Sequence, residues 1–406
     1  MYKRQEHLVY NELTVSLGAG RRHLLPTSMG GKRTDGENLE QVLIDRGYDV
    51  VTTKDEMDAV HVNRNTKLWG AFNMSHMDAE IDRPIYNPTE PSLAEMTAKA
   101  IEVLSQDRDG FFLMVEGSQV DWAGHNNDPI YMVTDFLAFD DAVKVAVKFA
   151  EEDGNTLVLA FPDHNTGGMK IGQYYQQMDY TATTVDDLIG PLEGMQVTSE
   201  SVVAEMGGNY SEDNMVATIK QWWNIDATAA DIAEINDLAP SVGMAYALAR
   251  VISKNHTVIG WTTHGHNGED VPVWIYPQSD AIGVIDNTDL PDVAEFWPGH
   301  PGPNTLDQLT KRLYVNVDDA FPGNWELDKT DPENYVLKIK VKNKTAELPI
   351  SKDLLMIDGK EYQLGSLVVY APLRDGDPSD GDMLTVVEDR VYIPQKVVKL
   401  INFRRW

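Results

Sequence analysis

Cysteine is absent from all 406 residues. No disulfide framework and no thiolate metal site can form, so any bound metal must rest on His, Asp and Glu. Long apolar runs are missing too. No window approaches the roughly 18 to 20 continuous apolar residues a membrane helix needs, so no membrane span is expected. The N-terminus MYKRQEHLVYNELTV has basic residues with no apolar stretch behind them, and no signal peptide is visible in it. Positive charge is scarce: 34 Lys plus Arg against 64 Asp plus Glu give a formal net charge of -30. Without a local basic patch, that balance repels nucleic acid and acidic membrane surfaces and reads as solubility rather than as a partner.

What is present is 42% hydrophobic residues, enough for one large domain with an appendage or for two domains. Short β-rich apolar runs alternate with amphipathic stretches, the pattern of an α/β protein with a largely parallel sheet between helices. The strand candidates are LTVSL (13–17), FFLMV (111–115), TLVLAF (156–161), TVIGW (257–261) and VPVWIY (271–276). Apolar positions at three- and four-residue spacing predict a helix over 132–152, with Gly154 placed to stop it. Ser92 and Glu95 have capping-box spacing and open a helix running to about residue 105. Residues 92–161 therefore read as helix, strand, helix, strand, with the strand ends VEG and FPDHN side by side at the carboxyl edge of the sheet, where open α/β folds bind ligands. Residues 169–253 read as helical insertion material. From about 328 the tail alternates apolar and polar residues around a DGK turn, which predicts a small β-rich appendage over 328–406.

Three candidate strands end in potential metal ligands. VEGSQVDWAGH carries Glu116, Asp121 and His125, the last two four apart and so on one face of a helix. DHNTGG carries Asp163 and His164, and THGHNGED carries His264 and His266, alternate residues on one face of an extended segment. Each match alone is weak: a DxxxH pair is more often a surface histidine or a helix cap, and paired glycines mark turns. Three strand ends that each deliver ligands are a stronger signal, and imidazole with carboxylate suits Zn²⁺ while an all-oxygen set suits Mg²⁺.

VEGSQVDWAGH, DHNTGG and HNGEDVPV, in that order, resemble the three C-terminal metal-binding motifs of the alkaline phosphatases, and the resemblance runs over roughly residues 8–290. It implies a three-layer sandwich, a central mostly parallel sheet between helices, over 1–327. It also implies two Zn²⁺ and one Mg²⁺ in one pocket that hydrolyses small phosphate monoesters. By motif, Asp121, His125 and His266 would hold the first zinc, Asp163 and His164 the second, and Glu116 the magnesium. His266 is preferred to His264 because it precedes Gly268 and the DVPV run in the family's register. His264 and Trp122 then fall beside the ligands. His7, His23, His61, His76, His256 and His300 have no motif around them and read as surface or packing residues. Family members are homodimers and are exported to the periplasm or outside the cell, which sets the expectation for this chain.

The family's catalytic serine sits in an Asp-Ser-Ala type motif, and no Asp-Ser dipeptide occurs among these residues. A DGMG-like segment, the threonine of the magnesium shell and a fitting phosphate-clamping arginine are also not found; Arg4, Arg21 and Arg22 do not match its place. The resemblance thus implies a chain that lacks the family's N-terminal part, with central strands of the sheet missing and edges exposed. Either it belongs to a phosphomonoesterase whose nucleophile segment lies elsewhere, or it is a noncatalytic metal- or phosphate-binding remnant. A relative acting on diesters or sulfates is the third reading, disfavoured by DHNTGG joined with HNGEDVPV.

Overall fold

The chain's first sheet is parallel. In the computed structural model, which describes residues 2–172, 179, 181–278, 283–295, 313–341, 344–375 and 385–403, β1 (Val15–Gly18), β2 (Asp49–Val51) and β3 (Leu68–Ala71) are ordered β1-β3-β2. All four residues of β3 are buried, as expected of a central parallel strand covered on both faces. A helix over Leu93–Leu104 packs beside β1 and opens with the expected capping box: the Ser92 hydroxyl accepts from the Glu95 N–H at 3.2 Å and the Glu95 carboxylate from the Ser92 N–H at 2.8 Å. The predicted 132–152 helix forms over Pro129–Asp153. It is capped by Asp128 at its start and ended by Gly154 at φ 70, a left-handed position that glycine takes without a Cβ clash.

Downstream, β4 (Val158–Ala160), β5 (Asn165–Thr166), β6 (Lys170–Ile171), β7 (Ile259–Gly260), β8 (His266–Asn267) and β9 (Trp274–Tyr276) pair as nested antiparallel ladders, β4 with β9, β5 with β8 and β6 with β7. The nesting lays 161–168 directly beside 260–268. Between β6 and β7 lies a helical block, with helices over Val185–Glu193, Ser199–Glu205, Glu212–Trp223, Ala229–Val242 and Met244–His256. Its core of Trp223, Met215, Ile219, Ile235, Leu248 and Ile252 is closed by hydrophobic burial. Part of the segment read as an insertion, 173–178 and 180, lies outside the described residues, as does His300.

The expected strand at 111–115 is a correction. The segment runs extended with alternating exposure, but it joins no ladder among the described residues, so the βαβ unit expected over 111–161 is not closed. Its β-rich composition is local, whereas a strand needs a neighbour to exchange hydrogen bonds with. Instead 111–117 and β1 both line a cleft of about 1320 Å³. The central parallel sheet is thus limited to three strands among the described residues, and the remaining pairs of this region are antiparallel. Phe112 is 89% exposed and Met114 70% exposed on this unpaired segment. Such an edge templates association. Phe112→Lys is expected to raise the protein concentration at which light scattering begins several-fold, while shifting folding stability by less than about 0.5 kcal/mol, as for other exposed positions. A cooperative melt of the unsubstituted chain with no scattering would count against the exposed segment as a liability.

The C-terminal region is β-rich. Strands Trp325–Asp328, Val336–Val341, Lys344–Pro349, Leu354–Ile357 and Lys360–Gln363 form a five-stranded antiparallel sheet. The DGK turn joins the last two through Asp358 at φ 52 and Gly359 at φ 72, the paired left-handed residues of a two-residue hairpin. Tyr314–Asn316 and Trp325–Asp328 start before the boundary expected at 328, and both pair into this region. Val317, Leu337, Leu355 and Val391 share its core. Residues 342–343, 376–384 and 404–406 of the expected appendage lie outside the described residues. The region rests on the N-terminal segment: Leu367 joins Val9, Leu24 and Leu39, and Arg46 bonds Asp353 at 2.9 Å.

Candidate metal centre

Asp121 and His125 sit one turn apart on the helix Gln119–Asn126, as their spacing requires. The β5–β8 ladder sets Thr166 opposite His266 and Asn165 opposite Asn267, and so carries the DHNTGG and HGHNGED loops to the same face. As a result Asp121, His125 and His266 offer ligand atoms that all lie within 4.8 Å of one another. The Asp121 carboxylate is 3.6 Å from His125 Nε2 and 3.8 Å from His266 Nε2. His164 stacks on His266 with ring centroids 3.6 Å apart. Four of the expected ligands are therefore neighbours.

The other two stand further out. Asp163 is 3.3 Å from His164 Nε2, but its side chain is 86% exposed. Glu116 is exposed on the cleft-lining segment 111–117, outside the close group. Trp122, 40% exposed, meets His76 edge-on at 4.5 Å, so one histidine without a motif also lies beside the site. Among the others, His7 bonds Ser351, His256 bonds Asp231 and His23 is buried, in keeping with packing roles.

Two side chains that motif reasoning passed over order the candidate ligands. The Thr166 hydroxyl donates to Asp121 Oδ1 at 2.7 Å and lies 3.1 Å from His164 Nδ1. Because that hydroxyl spends its proton on Asp121, it accepts from His164 Nδ1–H, which leaves His164 Nε2 bare. His125 Nδ1 likewise donates to the His264 carbonyl at 2.7 Å, which leaves His125 Nε2 bare. This is the arrangement expected of metal-binding imidazoles, one ring nitrogen held by the protein and the other open. Thr166 could have been found from period-two alternation, since it follows His164 by two in an extended segment. Asn127, which bonds the His264 ring and the Thr263 carbonyl, had no such local signal.

The paired glycines have a steric cause. Gly167 and Gly168 have φ of 79 and 59, and a Cβ on Gly167 would lie 2.6 Å from the Gly124 carbonyl oxygen. The same carbonyl-to-backbone approach makes Gly124 necessary: its Cβ would meet the Thr166 oxygen at 2.7 Å. The glycines of DWAGH and DHNTGG thus let two ligand-bearing backbones touch.

With this geometry established, the relatives fall into place. The alkaline phosphatase profile matches residues 3–297, and the chain belongs to the alkaline phosphatase family. It is 33% identical over 279 residues to alkaline phosphatase 3 of Bacillus subtilis, covering 66% of this chain and 57% of that one. It is 31% identical over 288 residues to alkaline phosphatase 4 of the same organism, covering 70% and 57%. The chain thus spans little more than half the length of either relative. Among solved structures, the Thermus thermophilus alkaline phosphatase superposes with a TM-score of 0.59 at 26% identity, covering 68% of this chain and 60% of that one. The cold-active enzyme from Shewanella sp. gives 0.54 at 25%, covering 68% and 62%. The alkaline-phosphatase-like fold follows from these neighbours, and metal cofactors are implied by the family.

Proposed function

We propose that this chain carries the metal-binding part of a phosphate monoester hydrolase. The observation that supports this most is the convergence of Asp121, His125 and His266 within 4.8 Å, with His164 stacked against them. The donors are imidazole nitrogen and carboxylate oxygen without thiolate, a set that fits Zn²⁺. On this reading Asp121, His125 and His266 hold one zinc and His164 with Asp163 a second. Glu116, an oxygen donor, holds a Mg²⁺. When bound, such ions polarise a phosphoryl oxygen and neutralise its charge.

The chain's own residues do the ordering. Thr166 holds Asp121 and His164 in one hydrogen-bonded line, and the His264 carbonyl fixes the His125 ring. Small phosphate monoesters are the proposed ligands, and assembly as a homodimer and a periplasmic or extracellular location are proposed by family. The domain reading is likewise proposed: a phosphatase-like unit over 1–327 and a β-rich appendage beyond.

The missing Asp-Ser dipeptide supports a second reading, a noncatalytic metal- or phosphate-binding remnant of the family. Loss of a covalent nucleophile costs orders of magnitude in rate. Metal counting beside p-nitrophenyl phosphate hydrolysis, with and without chelator, separates the two. The expected result is chelator-sensitive zinc and zinc-dependent binding of inorganic phosphate, with at most residual turnover from these 406 residues alone. Turnover at ordinary enzymatic rates of about 1 to 1000 per second would overturn the noncatalytic reading. Absence of chelator-sensitive zinc would overturn both.

A further inference from the structure

Asn127 is 1% exposed, and it ends the Gln119–Asn126 helix in the left-handed conformation at φ 54 and ψ 40. Its side-chain amide donates to the Gly124 carbonyl at 2.9 Å and to the Thr263 carbonyl at 3.0 Å. Both of those partners are acceptors, which fixes the amide orientation and leaves Oδ1 facing His264 Nδ1. His264 must therefore carry its proton on Nδ1. The amide thus has both N–H groups and its oxygen engaged.

The partners are not arbitrary. Gly124 immediately precedes His125, and Thr263 and His264 are the residues whose backbone turns back to meet it. The His264 carbonyl takes His125 Nδ1–H at 2.7 Å, and two residues on is His266. At the same helix end, Arg250 donates to the His125 carbonyl at 3.2 Å. Two of the last four carbonyls of this helix, those of Gly124 and His125, thus accept from side chains.

We infer that Asn127 is a positioning residue of the metal centre, resting on the metal-binding reading above. It ties the 263–264 backbone to the end of the 119–126 helix. That tie holds the His264 carbonyl where it orients the His125 ring, and it fixes the spacing between His125 and His266 before metal arrives. A helix cap alone would need only the left-handed backbone and one carbonyl contact. The bonds to residues 263 and 264 serve the distance between two ligand segments that lie 136 and 137 positions apart in the chain.

Asn127→Gly keeps the left-handed backbone and removes all three side-chain bonds. Asn127→Asp also tolerates that backbone and keeps an acceptor for His264, but loses both donors. Zn²⁺ affinity, by competition with a chromophoric chelator, and the d–d absorption of the Co²⁺-loaded protein are the readouts. Near-ultraviolet circular dichroism of the metal-free forms establishes that each variant is folded. For Asn127→Gly the affinity should fall about 10- to 100-fold, the range for removing a partner of a metal-binding histidine, and the Co²⁺ band should change at saturation. Asn127→Asp should lose at least as much, because its second carboxylate oxygen faces the Gly124 and Thr263 carbonyl oxygens with no proton to donate. Wild-type affinity and an unchanged Co²⁺ band in both variants overturn the inference and leave a simple helix cap. If the unsubstituted protein takes up neither ion, the metal-binding reading itself fails and this inference with it.

Discussion

Replacing Asp121 by Asn is expected to weaken Zn²⁺ binding about a hundredfold, measured by competition with a chromophoric chelator at pH 8. Protein zinc sites of four ligands release about 10 to 16 kcal/mol at neutral pH, so one ligand accounts for roughly 3 kcal/mol, or about two decades in affinity. Asp121 stands centrally in the close group: it faces both His125 and His266, and it accepts the Thr166 hydroxyl. Its loss therefore removes a charged donor and frees Thr166 at once. His266→Ala should cost a similar amount. Alanine at Glu116, on the exposed segment outside the group, should leave the tightest-bound zinc unchanged. The same experiment has a stability readout, because a metal that binds only the folded chain adds about 2.7 kcal/mol when present at a hundred times its dissociation constant. At the same metal concentration that increment should fall to about 0.4 kcal/mol in Asp121→Asn. Equal zinc affinity in the two proteins would remove Asp121 from the centre.

The candidate ligands were legible because each pair is local. Asp121 and His125 are set four apart by the helix, and the Asp163 and His164 pair follows one apolar run. What was hidden depends on distant pairing. Thr166 and Asp121 meet across 45 positions, and Asn127 meets Thr263 across 136; no window of sequence contains either bond. The helices obeyed the same division. Ser92, Glu95 and Gly154 act within one turn of themselves, so both helix boundaries could be read. FFLMV had every local mark of a strand, yet a strand is completed by a neighbour, and its extended backbone borders a cleft instead. The nested ladders from β4 to β9 were hidden for the same reason, since the short runs that form them say nothing of direction.

The buried acids behind the centre set the second large expectation. Asp135 lies on the Pro129–Asp153 helix and Asp128 caps it, 7% and 0% exposed. Burial pushes Asp135 up to about 7, against the hydrogen bond from the Glu80 N–H and with the nearby charges of Glu80, Asp82 and Asp128. Burial pushes Asp128 up to about 6, opposed by hydrogen bonds from the Ser199 and Tyr131 N–H groups. Asp82 is raised as well, again mainly by burial, so no nearby carboxylate relieves the others.

A carboxyl whose folded value lies above its unfolded value makes the folded chain bind more protons. Its favourable contribution is complete below about pH 4 and is lost as pH rises through about 6 to 7. Three opposing groups share the range: burial lowers His23, His76 and His264, which favours the folded chain as pH rises past about 6.5. Asp231, lowered to about 2, acts only at more acidic pH. Asp135→Asn isolates the carboxyl, since an amide oxygen can still accept from the Glu80 N–H that now lies 3.2 Å from Oδ2. Urea unfolding of the metal-free proteins, with chelator present, should show the variant more stable by about 2 kcal/mol at pH 8 and by only about 0.8 kcal/mol at pH 5, about half the full linkage values at 1.4 kcal/mol per pKa unit. The direction is opposite to that of metal binding, which needs neutral imidazoles and strengthens as pH rises. Zinc should therefore stabilise most where the metal-free chain is weakest, and the gain on adding it should be larger at pH 8 than at pH 5. Equal stabilisation by Asp135→Asn at both pH values would show that Asp135 does not titrate in this window.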